Sequence, residues 1–339
     1  MQKKFQLVSL ICILFVVSQL GGCMSTPSKP VAVASKYPEK PINMIVAFSP
    51  GSGTDVTART MEKLAPKYLG QPLVITNKTG AAGSLGWNEL AAATPDGYTV
   101  GIVAIDMLLL TQYGSGKYNY LTALSPIAQV SALPMVLAVH AEQPWQNLDD
   151  LIAQAKKNPG KLKFAHAGLG TFAHVLGEML SREAGISIEQ VPFSGGSEAV
   201  GALLGGHVQF LIGNPVVIKE HVRTGTIRVL ATTSEQRIDD PVFAQVPTFK
   251  EQGLDITLTN WFAVASPKEI PPDIKNKLSE GFKAIITDPE FTANMNSLGI
   301  KVQYQGPQET VNKWLADNQK LTVTLKDTGV IERIKAQRK

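Results

Sequence analysis

Ile42-Asn43-Met44-Ile45-Val46-Ala47-Phe48-Ser49-Pro50-Gly51-Ser52-Gly53-Thr54-Asp55 decides the fold of this chain. Ile42 to Phe48 is an apolar run of strand length, and Thr54 to Tyr68 has helical spacing. Between them Gly51 and Gly53 let the backbone turn tightly, and Thr54 or Asp55 can cap the helix. Asp55 and Arg59 stand at the spacing of an intrahelical ion pair. Such a turn leaves several N–H groups pointing outward, and with the helix dipole they make a site for a carboxylate or phosphate. The plainer alternative is a glycine turn with a capped helix and no ligand.

The pattern continues outward from this unit. Leu73 to Thr76 reads as a strand, Ser84 to Ala93 as a helix and Thr99 to Ile105 as a strand. The order then repeats, with strands at Leu162 to Ala167, Ile188 to Pro192 and Val208 to Ile212 and helices at Phe172 to Ala184 and Glu198 to Leu204. Two similar α/β units with largely parallel sheets are expected. Ligands of open α/β sheets bind beyond the carboxyl ends of the strands, so the strand exits are where chemistry belongs.

Three further exits share the glycine-rich character of the first. Asn77-Lys78-Thr79-Gly80-Ala81-Ala82-Gly83-Ser84 opens a helix, and so does Phe193-Ser194-Gly195-Gly196-Ser197 before Glu198. His166-Ala167-Gly168-Leu169-Gly170-Thr171 is followed on its helix by His174, a spacing that allows both histidines to face one cleft. Either histidine alone is as readily a structural hydrogen-bonding group. Each loop is weak by itself; their recurrence at corresponding positions of two units is the stronger signal.

At the N-terminus Lys3 and Lys4 precede an apolar stretch from Phe5 to Leu20 and the lipobox Leu20-Gly21-Gly22-Cys23. This predicts a lipoprotein signal peptide over residues 1–22, cleaved before a diacylated Cys23. The alternative is an uncleaved membrane anchor. Residues 23–36, small, polar and proline-bearing, read as a flexible tether, and the fold should begin near Tyr37. The remainder of the 339 residues suits two domains. Cys12 falls in the signal and Cys23 under the lipid, so disulfides, thiol catalysis and cysteine metal sites are excluded from the mature chain. Lys+Arg number 32 against Asp+Glu 28, and the signal takes away only cations, so the near-neutral body is a poor match for nucleic acid. No second long apolar run occurs, so the expected membrane contact is the lipid. The basic run Lys335 to Lys339 reads as a solvated helix end.

The Walker phosphate loop, H-E-x-x-H, G-x-S-x-G and the EF-hand pattern are all missing from the sequence. Gly168-x-Gly170-x-x-Ala173 with Glu189 is a degenerate dinucleotide-binding pattern in a poor location for a nicotinamide enzyme. A hydrolase built from Ser52 or Ser194 with His166 or His174 is a question of geometry.

Taken in combination, several motifs resemble one family. Tyr37-Pro38-Glu39-Lys40-Pro41-Ile42, Pro50 to Asp55 with Ala58-Arg59, Leu69-Gly70-Gln71 and Pro95-Asp96-Gly97-Tyr98-Thr99 look like the substrate-binding proteins of tripartite tricarboxylate transporters, also called the Bug family. So do Asn158-Pro159-Gly160-Lys161-Leu162, Leu204-Gly205-Gly206 and Val246-Pro247-Thr248, and the match covers nearly all of the chain beyond the tether. The resemblance implies an α/β, two-domain class II periplasmic-binding-protein fold with a ligand cleft between the domains. Domain one would hold residues 37–133 and 260–339, and domain two residues 134–259.

The implied function is an extracytoplasmic receptor, not an enzyme and without metal or cofactor, that captures a small organic acid and delivers it to membrane permease subunits. A sensor-type receptor for a signalling partner is the alternative. A monomer is expected. Family members hold a carboxylate through backbone N–H groups and ordered water, and by position those contacts fall on Phe48, Gly51, Ser52, Gly53, Thr54, Asp55, Gly80, Ala81, Ala82, Gly168, Gly170, Thr171, His174, Phe193, Ser194 and Gly195.

Three departures from the family pattern bear on the ligand. Ala104-Ile105-Asp106-Met107-Leu108 stands where a glycine, a Ser or Thr and a His are usual, His166 replaces a serine and Ser52 a glycine. Asp106, Met107 and His166 therefore join the candidate contacts. A dicarboxylate pressed against Asp106 would be repelled unless the ligand brings an amine or Asp106 points away, which favours a monocarboxylate, an aromatic acid or an amino-acid-like ligand over citrate. Met24 rather than aspartate after Cys23 resembles the sorting signal of Gram-negative outer-membrane lipoproteins on the periplasmic side.

Overall fold

The computed structural model describes residues 36–337, so the lipobox, Cys23 and all of the tether but Lys36 lie outside the described residues. The first lobe opens with β1 (Ile42–Val46), α1 (Gly53–Leu69), β2 (Leu73–Asn77), α2 (Ser84–Ala92) and β3 (Thr99–Ala104). It continues through α3 (Asp106–Tyr113), α4 (Tyr120–Ala123) and β4 (Leu124–Pro134). The second lobe holds β5 (Val136–His140), α5 (Leu148–Lys157), β6 (Lys163–His166), α6 (Phe172–Ala184), β7 (Glu189–Pro192), α7 (Gly196–Leu204), β8 (Phe210–Gly213), α8 (Lys219–Arg223) and β9 (Ile227–Thr232). The chain then returns to the first lobe with β10 (Thr259–Pro267), α9 (Pro272–Ile286), α10 (Pro289–Ser297), β11 (Val302–Gln305), α11 (Pro307–Thr328) and α12 (Val330–Gln337).

The sheets have the orders β11-β4-β10-β3-β1-β2 and β7-β6-β8-β5-β9. The same arrangement occurs twice. Each sheet runs second strand, first strand, third strand, and then the strand that has just arrived from the other sheet, β10 in one and β5 in the other. The expectation of largely parallel sheets holds only for the βαβ half of each. β1 is parallel to β2 and β3, and β6 to β7 and β8, because a crossover helix returns the chain to the same end. β10 lies antiparallel to β3 and β4, and β5 to β8 and β9, because each incoming strand enters from the opposite end.

Local chemistry sets the helix starts. Ser52, rather than Thr54 or Asp55, caps α1, its side chain accepting from Asp55 N. Gly70, at φ 74°, closes that helix in the left-handed region, where a side chain would strain the backbone. In the C-terminal α12 Lys335 is exposed, as expected of a solvated end, and residues 338–339 lie outside the described residues; before that run Val330 and Ile334 are buried and Arg333 crosses to the second lobe to meet Glu178 of α6 at 2.7 Å.

In the second lobe Phe210, Phe164, His166 and His174 form a continuous stack, with successive centroids 5.5, 5.1 and 4.5 Å apart. Gly177 of α6 lies directly on Phe164, and a Cβ there would be driven into the ring. Helix propensity favours alanine over glycine by about 1 kcal/mol, whereas forcing a methyl into a packed core costs about 1–3 kcal/mol. Gly177→Ala is therefore expected to lower the thermal midpoint; a raised midpoint in a melting experiment would contradict this packing.

Candidate functional site

Four helices begin at one place. Gly53 of α1, Asp106 of α3, Phe172 of α6 and Gly196 of α7 all line a cavity of about 50 Å³ between the two lobes. That is room for roughly three or four waters at about 10–15 Å³ each. Every one of these helices follows a strand exit, so the βα turns read in the sequence put their N–H groups around a common space. The positive ends of the helix dipoles converge there, each worth about 0.3–1 kcal/mol toward an anion and more where water is excluded. Among the described residues no lysine or arginine lines the cavity, and the single charged side chain in its lining is Asp106.

A wider cavity of about 300 Å³ adjoins it, sharing Ala167 and lined by Gly80, Ala81, Ala82, Gly168, Leu169, Pro192, Phe193 and Ser194. Gly80, Ala81, Ala82 and Gly83 are successive residues with positive φ, and the two alanines carry the strain of that region. The run presses Ala82 against Gly168 across the cleft, where a Cβ on Gly168 would stand 3.3 Å from Ala82 Cα.

The sequence-derived residues divide into three groups. Phe48, Ser52, Gly53, Thr54, Asp106 and Thr171 line the inner cavity, and Gly80, Ala81, Ala82, Gly168, Phe193 and Ser194 the outer one. Gly51, Asp55, Met107, His166, Gly170, His174 and Gly195 line neither. Met107 is fully buried in the core. Gly195 marks where the lobes touch: a Cβ would collide with Ser49 Oγ, and beside it Ser197 Oγ lies 3.0 Å from Ser49 Oγ and donates to Pro50 O at 3.0 Å.

Asp55 and the histidines hold the loops from behind. Asp55 Oδ2 accepts from Gly51 N at 2.8 Å and Arg59 Nε at 2.9 Å, and Oδ1 from Asn77 Nδ2 at 2.9 Å. The ion pair anticipated with Arg59 is thus present, as one part of a network that ties the first exit to the second. Burial opposes ionisation of Asp55, but the hydrogen bonds from Arg59, Gly51 and Asn77 outweigh it and hold the carboxyl below its usual range.

His166 and His174 are both fully buried. His166 Nδ1 lies 2.9 Å from Gly168 O and Nε2 2.8 Å from Gln190 Oε1. Burial first, then neighbouring His174, push the His166 ring down to about 3, so it is neutral. His174 Nδ1 accepts from Gly170 N at 2.9 Å, which leaves Nε2 facing Glu178 Oε1 at 3.6 Å. Both ring nitrogens of His166 are engaged, while His174 Nε2 is buried against Glu178 without a hydrogen bond, and neither ring is hydrogen-bonded to Ser52 or Ser194. Ser52 Oγ is itself occupied by Thr54 Oγ1 and Asp55 N.

Asp106 Oδ1 accepts from Phe172 N at 2.8 Å, joining the lobes. Burial pushes its carboxyl up to about 6, against the stabilising hydrogen bonds from Phe172 N and its own N–H.

Sequence reasoning missed Asn214, Asn260 and Phe262, which also line the inner cavity; Asn260 Nδ2 donates to Asn214 Oδ1 at 3.4 Å. Asn214 follows β8, so treating Val208 to Ile212 as a fifth strand exit would have found it. Asn260 and Phe262 sit on the returning strand and carry no local signal.

The family model described as Tripartite tricarboxylate transporter family receptor matches residues 57–330. The chain belongs to this family. The receptor is similar to BugT of Bordetella pertussis, 39% identical over 245 residues that span 71% of this chain and 74% of BugT. Its fold is that of the periplasmic binding protein BugD, at TM-score 0.83 and 29% identity over 87% of this chain and 99% of BugD. Two Rhodopseudomonas palustris proteins share it at 26% identity: Rpa4515 with adipate, at TM-score 0.82 over 86% of this chain and 98% of that one, and MatC with bound malate, at 0.79 over 84% and 99%. The two-domain α/β periplasmic-binding-protein architecture is thereby identified.

Asp55 offers a test of how the receptor's first loop is held. Its Arg59 partner is about half exposed, so that pair is worth less than about 1 kcal/mol, and the buried bonds to Gly51 and Asn77 carry more. Asp55→Asn is expected to cost about 1–3 kcal/mol. Because the folded carboxyl is held below its ordinary 3.8, the contribution is present above that pH and lost as pH falls through the lowered pKa. Denaturant titrations should show wild type and Asp55→Asn converging in acid; a constant gap across pH would rule out a charged role for Asp55.

Proposed function

We propose that this receptor captures a small carboxylate between lobes formed by residues 37–133 with 260–339 and by residues 134–259, and delivers it to the permease of a tripartite tricarboxylate-type transporter. The observation that carries the reading is the convergence of four helix N-termini on a cavity without a lysine or arginine. Backbone N–H groups at helix starts hold an anion with no side-chain cation. The first N–H groups of α1 have no acceptor within their own helix, and a ligand carboxylate supplies one. Two of the similar structures, from Rhodopseudomonas palustris, hold adipate and malate, both small carboxylic acids.

Ser52, Gly53, Thr54 and Thr171 are the proposed polar contacts to the ligand, Phe48 and Phe262 the apolar wall, and Asn214 with Asn260 the floor near the crossover strands. Asp55, His166 and His174 position the loops from behind. Ligand contacts from both lobes favour the closed arrangement over an open one, which makes closure the signal a permease reads. No reaction is proposed, since Ser52 Oγ is taken by Thr54 and Asp55 and neither histidine is hydrogen-bonded to a cleft serine. The receptor works as a monomer on the periplasmic side of the envelope, held by lipid on Cys23, with the outer membrane as its proposed sheet.

Titration of the purified receptor with a panel of mono-, di- and tricarboxylic acids in a calorimeter tests the central reading. A bound acid at about a hundred times its Kd should stabilise the fold by about 2.7 kcal/mol. A panel without heat or thermal shift would remove the carboxylate from the account. The anchor is tested separately: Cys23→Ser should move the protein from the membrane to the soluble fraction, and unchanged sedimentation with membranes would remove the lipid.

A further inference from the structure

Asp106 sits at the first turn of α3 in the first lobe, yet its carboxylate is spent on the second. Oδ1 accepts from the N–H of Phe172, the first residue of α6, at 2.8 Å, and only 6% of the residue is exposed. It is the single charged side chain in the lining of the inner cavity. The two sides of that cavity are therefore unequal. On the α1 side, Gly53 and Thr54 are buried, line the cavity and stand at the start of a helix, where N–H groups have no intrahelical acceptor. On the α6 side, the corresponding N–H is already satisfied by a carboxylate that the protein brings itself. Both sides line the same inner cavity of about 50 Å³.

We propose that Asp106 is a specificity-determining residue: a resident carboxylate that fills, at the start of α6, the place open to a second ligand anion, so that the receptor selects monocarboxylic over dicarboxylic acids of the same chain length. The inference rests on the carboxylate-receptor reading above. A monocarboxylate placed on α1 completes an arrangement with one anion at each side. A dicarboxylate of the same length brings a second negative oxygen pair beside the buried Asp106, and two adjacent carboxylates with little water around them do not both stay ionised. Its binding would then require either a proton or displacement of Asp106 from Phe172, and displacement leaves the buried Asp106 carboxylate in need of a new partner. Thr171 Oγ1, the cap of α6, is directed to its own helix and to Gly168 O and gives Asp106 no substitute.

The test is calorimetric titration of the purified receptor, well above the pKa of Asp106, with two matched pairs: propanoate with malonate, and hexanoate with adipate. Wild type, Asp106→Ser and Asp106→Asn are compared, each first shown to be folded by its melting curve. Asn keeps an oxygen for Phe172 N and removes only the charge, so it answers the question should Ser unfold the cleft. Wild type is expected to bind the monocarboxylate of at least one pair about tenfold or more tightly than its dicarboxylate partner, and both substitutions to narrow that ratio by about tenfold through gained dicarboxylate affinity. Tighter binding of the dicarboxylates by wild type, or a ratio that neither substitution changes, overturns the role of Asp106 and leaves the carboxylate receptor standing. Preference for an amino acid of matched length that is lost in Asp106→Asn overturns it in favour of Asp106 as an ammonium partner. Silence of all these acids together with the wider panel overturns the receptor reading and the selectivity with it.

Discussion

An N–H group at the start of a buried helix must find an acceptor, and this requirement organises the receptor. Four helices aim their first N–H groups at one inter-lobe cavity. Some of the requirement is met internally, by Ser52 and Thr171 as caps and by Asp106 across the cleft. The remainder, above all on α1, is what we propose gives the site its affinity for an anion. A guanidinium clamp would have bound the same anion more strongly in isolation. It would also have brought a buried charge that needs compensation whenever the lobes part.

Holding N–H groups in place takes a second layer of polar contacts. Asp55 draws Gly51, Asn77 and Arg59 together, so the first two strand exits move as one piece. His166 and His174 do the same for the third, gripping Gly168 and Gly170 while stacking on each other and on Phe164. Glu178 continues that line outward to Arg333 on the C-terminal helix, so the inner cavity is tied to an element far away in sequence. Rigid loops of this kind reduce the ordering that a ligand has to impose, which is where binding affinity is otherwise lost.

Much of this was legible in the residues. The strand and helix alternation, its repetition and the four glycine-rich exits all follow from local pattern, and the structure puts residues from each exit on one of two adjoining cavities. What local pattern misjudged is instructive. Spacing puts His166 and His174 beside the loops of the cleft, yet their rings turn into the core, because spacing along the chain fixes where a residue sits and says nothing about which rotamer packing will accept. Asn260 and Phe262 went unnoticed because they belong to a strand that completes the first sheet only after the chain has built the second.

The sequence by itself determined the class of fold, the family and the backbone chemistry of the site. Glycine turns, caps and helix periodicity are short-range properties that survive without knowledge of what packs against them. Tertiary structure alone decided the sheet directions beyond each βαβ unit and the meeting of Ser49 with Ser197. It alone directed Asp106 to Phe172. The last two depend on contacts between residues 148 and 66 positions apart, and the sheet directions on pairings up to 164 apart, whose geometry no local preference encodes.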